Sequence, residues 1–324
     1  MRGLGSRGAA TRRSGGTPLQ QPSRAQWLRL LALRRRDRVG FVFSGGGPLG
    51  ALQVGAARAL FEYGITPHLA VGTSVGALNA SFIAFDPSLE GLDKLERVWR
   101  DLKSTDLFPG GRFSVPWARM LRHGNGVYDN AGIRTIVGTG LPDKRIEDAA
   151  IPLGIVATDL ETGQERVFAE GPIAEPLLAS SAMPGVFPPV QIDGRSYIDG
   201  GVANNVPISP AVGLGATTIY VLDTTASATQ RRPLNRPLDY LLHAFSLARS
   251  QRLAVDHALY GERVRLIVLP TAEMDFFVPF ASMEHTDRLI GLGYRATASF
   301  LEARGDHSTE PRVVEGIEVI APAK

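Results

Sequence analysis

Ser74 is the residue whose surroundings most clearly indicate chemistry. It lies in Gly72-Thr73-Ser74-Val75-Gly76, the only Gly-x-Ser-x-Gly stretch in the 324 residues. Small residues beside such a serine let it occupy a sharp turn between a strand and a helix, with its hydroxyl exposed. The apolar runs on both sides of the motif fit that context. Ser74 is therefore a candidate nucleophile, and Gly72 and Gly76 would permit its turn.

A serine nucleophile needs a group that accepts its proton, and histidine is the usual one. None of the six histidines follows a predicted strand in a turn, so a Ser-His-Asp triad is poorly supported. Asp199 is an alternative base, because it ends a predicted strand and precedes Gly200 and Gly201, which permit close backbone approach. Asp193 is explained by its own Asp-Gly hairpin turn. The competing interpretation, in which Asp199 is a second turn residue, stays open on this basis.

Another glycine-rich turn, Ser44–Gly50, separates a predicted strand from a predicted helix and matches Gly-x-Gly-x-x-Gly. A dinucleotide site would also need an acidic residue at the end of the next strand, about 20 residues later. That strand ends without one. What remains is a run of N–H groups at a helix N-terminus, which suits a phosphate or a developing oxyanion equally well.

The elements that must position these turns follow from the hydrophobic pattern. Short apolar runs alternate with helical stretches from Val39 onward, as in a mostly parallel sheet covered by helices. The predicted strands are 39–43, 69–71, 152–158, 167–168, a hairpin over 190–198, 218–222 and 264–269. The predicted helices are 49–63, 75–85, 89–102, 173–182, 234–260 and 282–303. Residues 103–130 are predicted to form an apolar loop, either a binding surface or a cover for the core.

Taken together, the three turns resemble those of the patatin-like phospholipase family. The resemblance covers about residues 39–225 and is carried by Gly45–Gly50, Gly72–Gly76 and Asp199–Gly201, with support from 157–159, 181–189 and 204–207. It implies a patatin-like α/β fold, a three-layer α/β/α sandwich with a mostly parallel central sheet. It also implies that Ser74 and Asp199 form a catalytic dyad. The backbone N–H groups of Gly45, Gly46 and Gly47 would then form the oxyanion hole.

The activity implied is that of a serine lipid acyl hydrolase of the phospholipase A, lysophospholipase or esterase type, with no metal and no cofactor. The chain departs from the family at Leu49, where Arg or Lys usually precedes the last glycine. A fatty acyl ester is therefore better supported as substrate than a phospholipid in particular. The alternative is a patatin-fold protein that binds lipid or a partner without turnover. The candidate acyl-chain wall residues, each also explicable as core, are Phe82, Phe108, Trp117, Met183 and Phe187.

Composition excludes several other classes. With no cysteine, the chain has no disulfide framework, no cysteine nucleophile and no cysteine-ligated metal. Hydrophobic residues make up 44% and charged residues 21%, which argues against wholesale disorder and against a membrane-embedded fold. The longest uncharged stretch, near residues 69–85, is too short and too polar for a transmembrane helix.

The positive charge is confined to the N-terminus. Residues 1–38 hold ten arginines and one acid, a formal +9, so the net +3 of the chain leaves −6 on the remainder. Nucleic acid is therefore not an expected partner. Residues 25–33 are predicted to form an amphipathic helix suited to an anionic membrane surface. A helix packed on the body, a weakly structured leader and an Arg-rich transit peptide remain alternatives.

The expected organisation is a basic, flexible arm over 1–38, a hydrolase domain over 39–310 and a tail over 311–324. The expected location is the cytoplasm, with peripheral membrane contact through the arm.

Overall fold

A computed structural model of the protein describes residues 37–108, 128–224, 240, 252, 255–256, 258–272, 274–276, 278–279 and 282–304. The chain divides into two units between Arg36 and Asp37, and only the second contains described residues. The body begins at Asp37, whose carboxylate accepts hydrogen bonds of 2.7 and 2.8 Å from the hydroxyls of Thr217 and Thr218. Residues 1–36 of the predicted arm, Trp117, most of the predicted helix at 234–260 and the tail lie outside the described residues.

The secondary structure alternates strands and helices over most of the body. The strands are β1 Val39–Phe43, β2 Leu69–Thr73, β3 Leu153–Asp159, β4 Glu165–Phe168, β5 Val190–Ile192, β6 Arg195–Asp199, β7 Thr218–Leu222 and β8 Arg265–Val268. The α-helices are α1 Gly50–Glu62, α2 Val75–Phe85, α3 Leu89–Asp101, α4 Ser104–Leu107, α5 Ala131–Gly140, α6 Ala174–Ser180, α7 Ile208–Gly213 and α8 Thr286–Arg304. Short 3₁₀ turns cover Gly47–Leu49, Ile146–Asp148 and Gly200–Val202.

These strands form one sheet in which hydrogen-bonded neighbours follow the path β5-β6-β3-β2-β1-β7-β8. Strand β4 pairs with the other side of β3 from β2 and β6. The five strands β3, β2, β1, β7 and β8 run parallel to one another, whereas β4, β5 and β6 are antiparallel to their neighbours. Parallel pairing brings the carboxyl ends of β1, β2 and β7 to one edge of the sheet, where ligands commonly bind in open α/β folds. The prediction of a mostly parallel sheet is confirmed.

Two separate cores lie on the two faces of the sheet, which makes the body a three-layer α/β/α sandwich. Phe41 and Phe43 point to one face and pack in the core that includes α1, α2, α3 and α8. Val42 points to the other face, where Ile208 and Ala211 of α7 pack against it. The alternation follows from the period of two residues along a strand. The predicted fold class is therefore confirmed.

Element prediction was closest where the pattern was regular. β1, α2 and β7 have the predicted bounds, and most other elements differ by one to three residues at their ends. The predicted hairpin turn is present, with φ of +49° at Asp193 and +77° at Gly194. The prediction of a loop over 103–130 was wrong at its start, where α4 forms.

Besides α4, the helices α5 and α7 were not predicted. Helix α5 has the sequence AGIRTIVGTG, in which glycine and β-branched residues have low helix propensity. Burial of Ile133 and Val137 against the core outweighs that preference. Among the described residues, no helix is both long and apolar enough to cross a membrane.

Candidate active site

The sheet brings Ser74 and Asp199 to the same point. Thr73, the last residue of β2, pairs with Val156 of β3, and Asp199, the last residue of β6, pairs with Ala157. A strand residue has one neighbouring strand on each side. Val156 lies between β2 and β4, and Ala157 lies between β6 and β4, so β2 and β6 lie on the same side of β3. Since β2 is parallel to β3 and β6 is antiparallel, their carboxyl ends approach one another.

The residue after Asp199 shows how close this approach is. A Cβ added to Gly200 would lie 2.2 Å from the carbonyl oxygen of Val156 and 3.0 Å from Cγ2 of Thr73. A side chain at position 200 would therefore push the two strand ends apart.

Ser74 occupies a strained turn between β2 and α2. Its φ of +55° and ψ of −128° are rarely adopted by a residue with a side chain. Gly72 and Gly76 allow the backbone segments around this turn to come into close contact. A Cβ at Gly72 would lie 2.1 Å from the Gly76 carbonyl oxygen, and a Cβ at Gly76 would lie 2.4 Å from that of Phe43. The half-buried Ser74 thus has the strand–turn–helix context that the sequence motif requires.

Ser180 holds this turn, although sequence reasoning did not identify it. The Ser74 backbone N–H donates to the Ser180 hydroxyl at 2.8 Å, and that hydroxyl donates to the Val156 carbonyl at 2.6 Å. Ser180 is fully buried at the end of α6. The available signal was a small polar residue after the apolar run Pro176–Ala179, directly before the supporting stretch at 181–189.

Asp199 is buried and closely tied to its neighbours. One carboxylate oxygen, Oδ1, accepts a 2.7 Å hydrogen bond from the Gly201 N–H, at the start of a 3₁₀ turn. The Asp199 N–H donates to the Ala182 carbonyl, and its carbonyl accepts from the Thr158 hydroxyl, both at 2.9 Å. These contacts keep a carboxylate oriented at the edge of the sheet with only 5% of the residue exposed.

The glycine turn after β1 lies against Ser74. A Cβ at Gly45 would lie 3.1 Å from the Ser74 Cβ. The Gly45 N–H already donates to the Asn205 carbonyl at 3.2 Å. Within the described part of the chain, no hydrogen bond takes up the N–H of Gly46 or Gly47. Neither of these two N–H groups is used to hold the described fold together.

Asp159, at the end of β3, shapes the neighbouring turn. Its carboxylate accepts hydrogen bonds from the N–H groups of Thr162 and Glu161, and it pairs with Arg195 at 3.0 Å. The Thr162 N–H, together with the Arg195 guanidinium, lowers the pKa of Asp159. Asp159 is thereby kept ionised as a structural acceptor, whereas the adjacent Thr158 is the residue that contacts Asp199.

An aromatic cluster lies along the segment that leads to Asp199. Phe108 and Phe187 are buried with their rings stacked at 5.9 Å, and the Tyr128 ring meets that of Phe108 at 5.2 Å. The Phe187 N–H donates to the Met183 carbonyl, one residue beyond the Ala182 carbonyl that receives the Asp199 N–H. Phe108 and Phe187, two candidates for the acyl-chain wall, are thus in contact; Met183 packs against the same core, and Phe82 packs against Gly140.

Two histidines lie in the described part of the chain, and His68 is too far from Ser74 to serve as its base. The Val39 N–H donates to His68 Nδ1, so His68 lies at the amino ends of the strands. A five-residue strand separates those ends from Ser74 by about 16 Å. His285 packs on Phe276 with ring centroids 4.8 Å apart.

Leu49, where the sequence departs from the family's glycine turn, is buried in the apolar core.

The fold and this site define an α/β protein with a serine on a strand–helix turn, an aspartate at the adjoining strand end and a glycine turn beside both. The family model described as "Patatin-like phospholipase" matches residues 41–212, more than half of the chain. The chain belongs to the patatin-like phospholipase family, a family of lipid hydrolases.

Named relatives agree with this assignment. Patatin-like phospholipase domain-containing protein ZK370.4 of Caenorhabditis elegans is 30% identical over 62% of this chain and 14% of its own length. The human patatin-like phospholipase domain-containing protein 6 is 29% identical over 61% of this chain and 14% of its own length. Lysophospholipase NTE1 of Saccharomyces cerevisiae is 27% identical over 71% of this chain and 13% of its own length. The chain therefore spans a small part of these relatives.

Among solved structures, the chain is similar to VipD from Legionella pneumophila, with 15% identity, a TM-score of 0.44 and coverage of 83% of this chain and 67% of that one. It is also similar to human GIVD cytosolic phospholipase A2, with 12% identity, a TM-score of 0.45 and coverage of 85% and 60%.

Proposed function

We propose that this protein is a serine hydrolase of fatty acyl esters, with Ser74 as nucleophile and Asp199 as base. The observation that carries the proposal is the pairing of Thr73 and Asp199 with consecutive residues of β3. This pairing puts an aspartate beside the strained turn of Ser74. Strain at a residue that the surrounding structure over-determines is characteristic of functional positions.

In the proposed first step, Asp199 takes the proton of the Ser74 hydroxyl as its oxygen attacks the ester carbonyl. Negative charge develops on the carbonyl oxygen, and the N–H groups of Gly46 and Gly47 stabilise it. Gly45, the first of the three residues expected in the oxyanion hole, already donates to Asn205 and instead anchors the turn. Loss of one oxyanion donor typically slows such a reaction by about 100- to 1000-fold.

In the second half of the cycle the alcohol or lysolipid departs with the proton from Asp199, leaving an acyl-Ser74 ester. Asp199 then accepts a proton from water as the water oxygen attacks that ester, and it returns this proton to the Ser74 oxygen as the acyl–oxygen bond breaks and the fatty acid is released. The charges and protons of this sequence are handled by the chain's own groups, so the proposal includes no metal and no cofactor.

The proposed substrate class is a lipid with a carboxylic ester of a fatty acid. Family membership supports it, as does the packing of Phe108 and Tyr128 against Phe187, which lies on the segment that hydrogen-bonds to Asp199. Leu49 stands where the family usually has Arg or Lys, and its apolar side chain, buried in the core, cannot pair with a phosphate. We therefore expect neutral lipid esters and lysolipids to be hydrolysed at rates comparable to those of diacyl phospholipids.

A fluorophosphonate probe and a panel of lipid esters test this function. Wild-type protein should be labelled and should release fatty acid, and Ser74→Ala should abolish both. Ser196→Ala is the matched control, because Ser196 is a serine of β6 whose hydroxyl accepts a hydrogen bond from Gln191. Well-folded wild-type protein that neither labels nor hydrolyses any ester would contradict the proposal and would favour lipid or partner binding without turnover.

Peripheral membrane contact through residues 1–38 is a separate proposal that rests on the charge of the arm. Substituting glutamine for Arg34, Arg35 and Arg36 in the full chain should weaken binding to anionic liposomes and spare hydrolysis of a short soluble ester. Unchanged liposome binding would refute this role.

A further inference from the structure

The N–H donors of the proposed oxyanion hole must point in a fixed direction. An oxyanion hole works because its donors are held in place before the charge develops. Gly45, Gly46 and Gly47, however, are the residues with the greatest backbone freedom. Some other group must hold the peptide planes of this turn.

The peptide between Gly45 and Gly46 is held from behind by two side chains. The Gly45 carbonyl oxygen accepts hydrogen bonds from the Thr224 hydroxyl at 2.9 Å and from the Asn205 amide at 3.4 Å. A trans peptide is planar, and its C=O and N–H point in opposite directions. Holding the Gly45 carbonyl therefore determines the direction of the Gly46 N–H.

Thr224 is itself rigidly placed. It is 1% exposed at the end of β7, and its N–H donates to the Ser44 hydroxyl at 2.9 Å. A Cβ at Gly46 would lie 2.0 Å from the Thr224 hydroxyl oxygen. The hydroxyl thus lies directly against the Gly46 backbone, in space that a side chain would need.

The preceding peptide is held by a chain of buried side chains that runs in one direction. Indole N–H can only donate, and Trp99 donates to the Asn79 carbonyl oxygen at 2.8 Å. The Asn79 amide nitrogen donates to Gln53 Oε1 at 2.9 Å. Gln53 Nε2 donates in turn to the carbonyls of Ser44 at 2.8 Å and Leu222 at 2.9 Å. Each amide orientation is therefore determined by the one before it.

We propose that Thr224 is a positioning residue that aims the Gly46 N–H at the reacting carbonyl oxygen, and that Trp99, Asn79 and Gln53 hold the base of the same turn. Thr224 acts through the Gly45–Gly46 peptide and does not contact the substrate. The proposal rests on the acyl hydrolase function and adds a side chain that the three sequence motifs do not contain.

Thr224→Val tests it, because valine keeps the shape of threonine and removes the hydroxyl, whereas Thr224→Ser keeps the hydroxyl. The assays are kcat and KM for a fatty acyl p-nitrophenyl ester and the inhibition constant of a long-chain trifluoromethyl ketone, which forms a charged tetrahedral adduct with a reactive serine. For Thr224→Val we expect kcat to fall by about 10- to 100-fold, somewhat less than on removal of a donor. KM should stay within about twofold, because ground-state binding does not use the oxyanion donor.

The inhibition constant of the ketone should rise by a factor similar to the fall in kcat, since both report stabilisation of the tetrahedral oxyanion. Thr224→Ser should restore both values to within about threefold of wild type, as expected if the hydroxyl is what matters. A merely structural role would lower the melting temperature and the fraction of active protein without changing the inhibition constant. If Thr224→Val does not fold, Thr224→Ala is measured in the same way.

Full activity of Thr224→Val, or a fall in kcat with an unchanged inhibition constant, would overturn the positioning role. That result is distinct from failure of the function itself, because wild-type protein would still hydrolyse esters and react with the fluorophosphonate. Inactive wild type would overturn both proposals.

Discussion

Glycine permits close backbone contact in two regions of this protein, with different consequences. Where α1 crosses α8, a Cβ at Gly55 would lie 1.9 Å from the Ile290 carbonyl oxygen, and one at Gly293 would lie 2.0 Å from that of Leu52. At the sheet edge, Gly72 and Gly76 are equally crowded. The crossing contains ordinary helix, whereas the sheet edge holds Ser74 at a positive φ. The same lack of a side chain serves packing in one place and the presentation of a reactive group in the other.

The polar groups of the two regions also differ. Beside the helix crossing, hydrogen bonds lie at the exposed rim, where Tyr294 donates to Glu62 at 2.7 Å and Tyr63 donates to Glu302 at 2.9 Å. At the sheet edge the polar side chains are buried and hydrogen-bonded, as burial requires. They are Ser44, Gln53, Asn79, Ser180, Asp199 and Thr224. Changes at the crossing should therefore alter stability, and changes at the edge should alter activity.

Asp199→Asn should have the largest effect, and on activity alone. Removing a general base typically costs about 100- to 10,000-fold in rate. Asparagine retains an oxygen that can accept the Gly201 N–H, so the melting temperature should stay near that of wild type. Asp193→Asn in the adjoining hairpin turn is the control, because asparagine tolerates its positive φ. Retained activity in Asp199→Asn would remove this residue from the dyad.

Gly293→Ala should lower stability without lowering activity, the opposite of what we expect for Asp199→Asn. The added methyl would meet the Leu52 carbonyl, and overpacking of this kind costs about 1–3 kcal/mol of unfolding free energy. The kcat per folded molecule should not change. Gly291→Ala on the same helix meets only the flexible end of Arg295 and should gain up to about 1 kcal/mol from helix propensity. Chemical denaturation of both variants measures the difference, and equal stability would show that the helix crossing is not tight.

The difference in stability between Ser74→Gly and Ser74→Ala measures the backbone strain at this turn. Both variants lack the nucleophile and should be inactive. The glycine variant should be more stable than the alanine variant by about 1 kcal/mol, because glycine adopts the positive φ without a steric penalty. Thermal denaturation at one pH gives the comparison. A more stable alanine variant would mean that no backbone strain is stored at Ser74.

Asp159→Asn should give the smallest change in stability, and that change should depend on pH. The pKa of Asp159 is lowered by the Thr162 N–H and the Arg195 guanidinium, so its contribution to stability is present above the pKa of the unfolded chain, about 3.9. It is lost as the pH falls through the lower pKa of the folded state. The stability difference between wild type and Asp159→Asn should therefore be constant near neutral pH and shrink below about pH 4. Parallel pH profiles would contradict this assignment.

Local pattern was sufficient for much of the fold. β1, α2 and β7 were predicted with their observed bounds because each is a mostly apolar run bounded by polar or charged residues. Pattern failed for α5, whose glycines and β-branched residues disfavour a helix in isolation. It also failed for Ser180 and Thr224, because a single buried hydroxyl has no periodicity and its importance depends on which backbone groups it meets.

The sequence by itself determined the three glycine-rich turns, the strands and helices on each side of them and the family to which the chain belongs, since these depend on residues close together in the chain. Only the tertiary structure decided that β2 and β6 end against consecutive residues of β3, which brings the turn of Ser74 to Asp199. It also decided that Gly45 anchors the glycine turn through Asn205, and that Thr224 holds the peptide of Gly46. The physical reason is that strand register and buried hydrogen bonds join residues far apart in sequence, which local preferences do not specify.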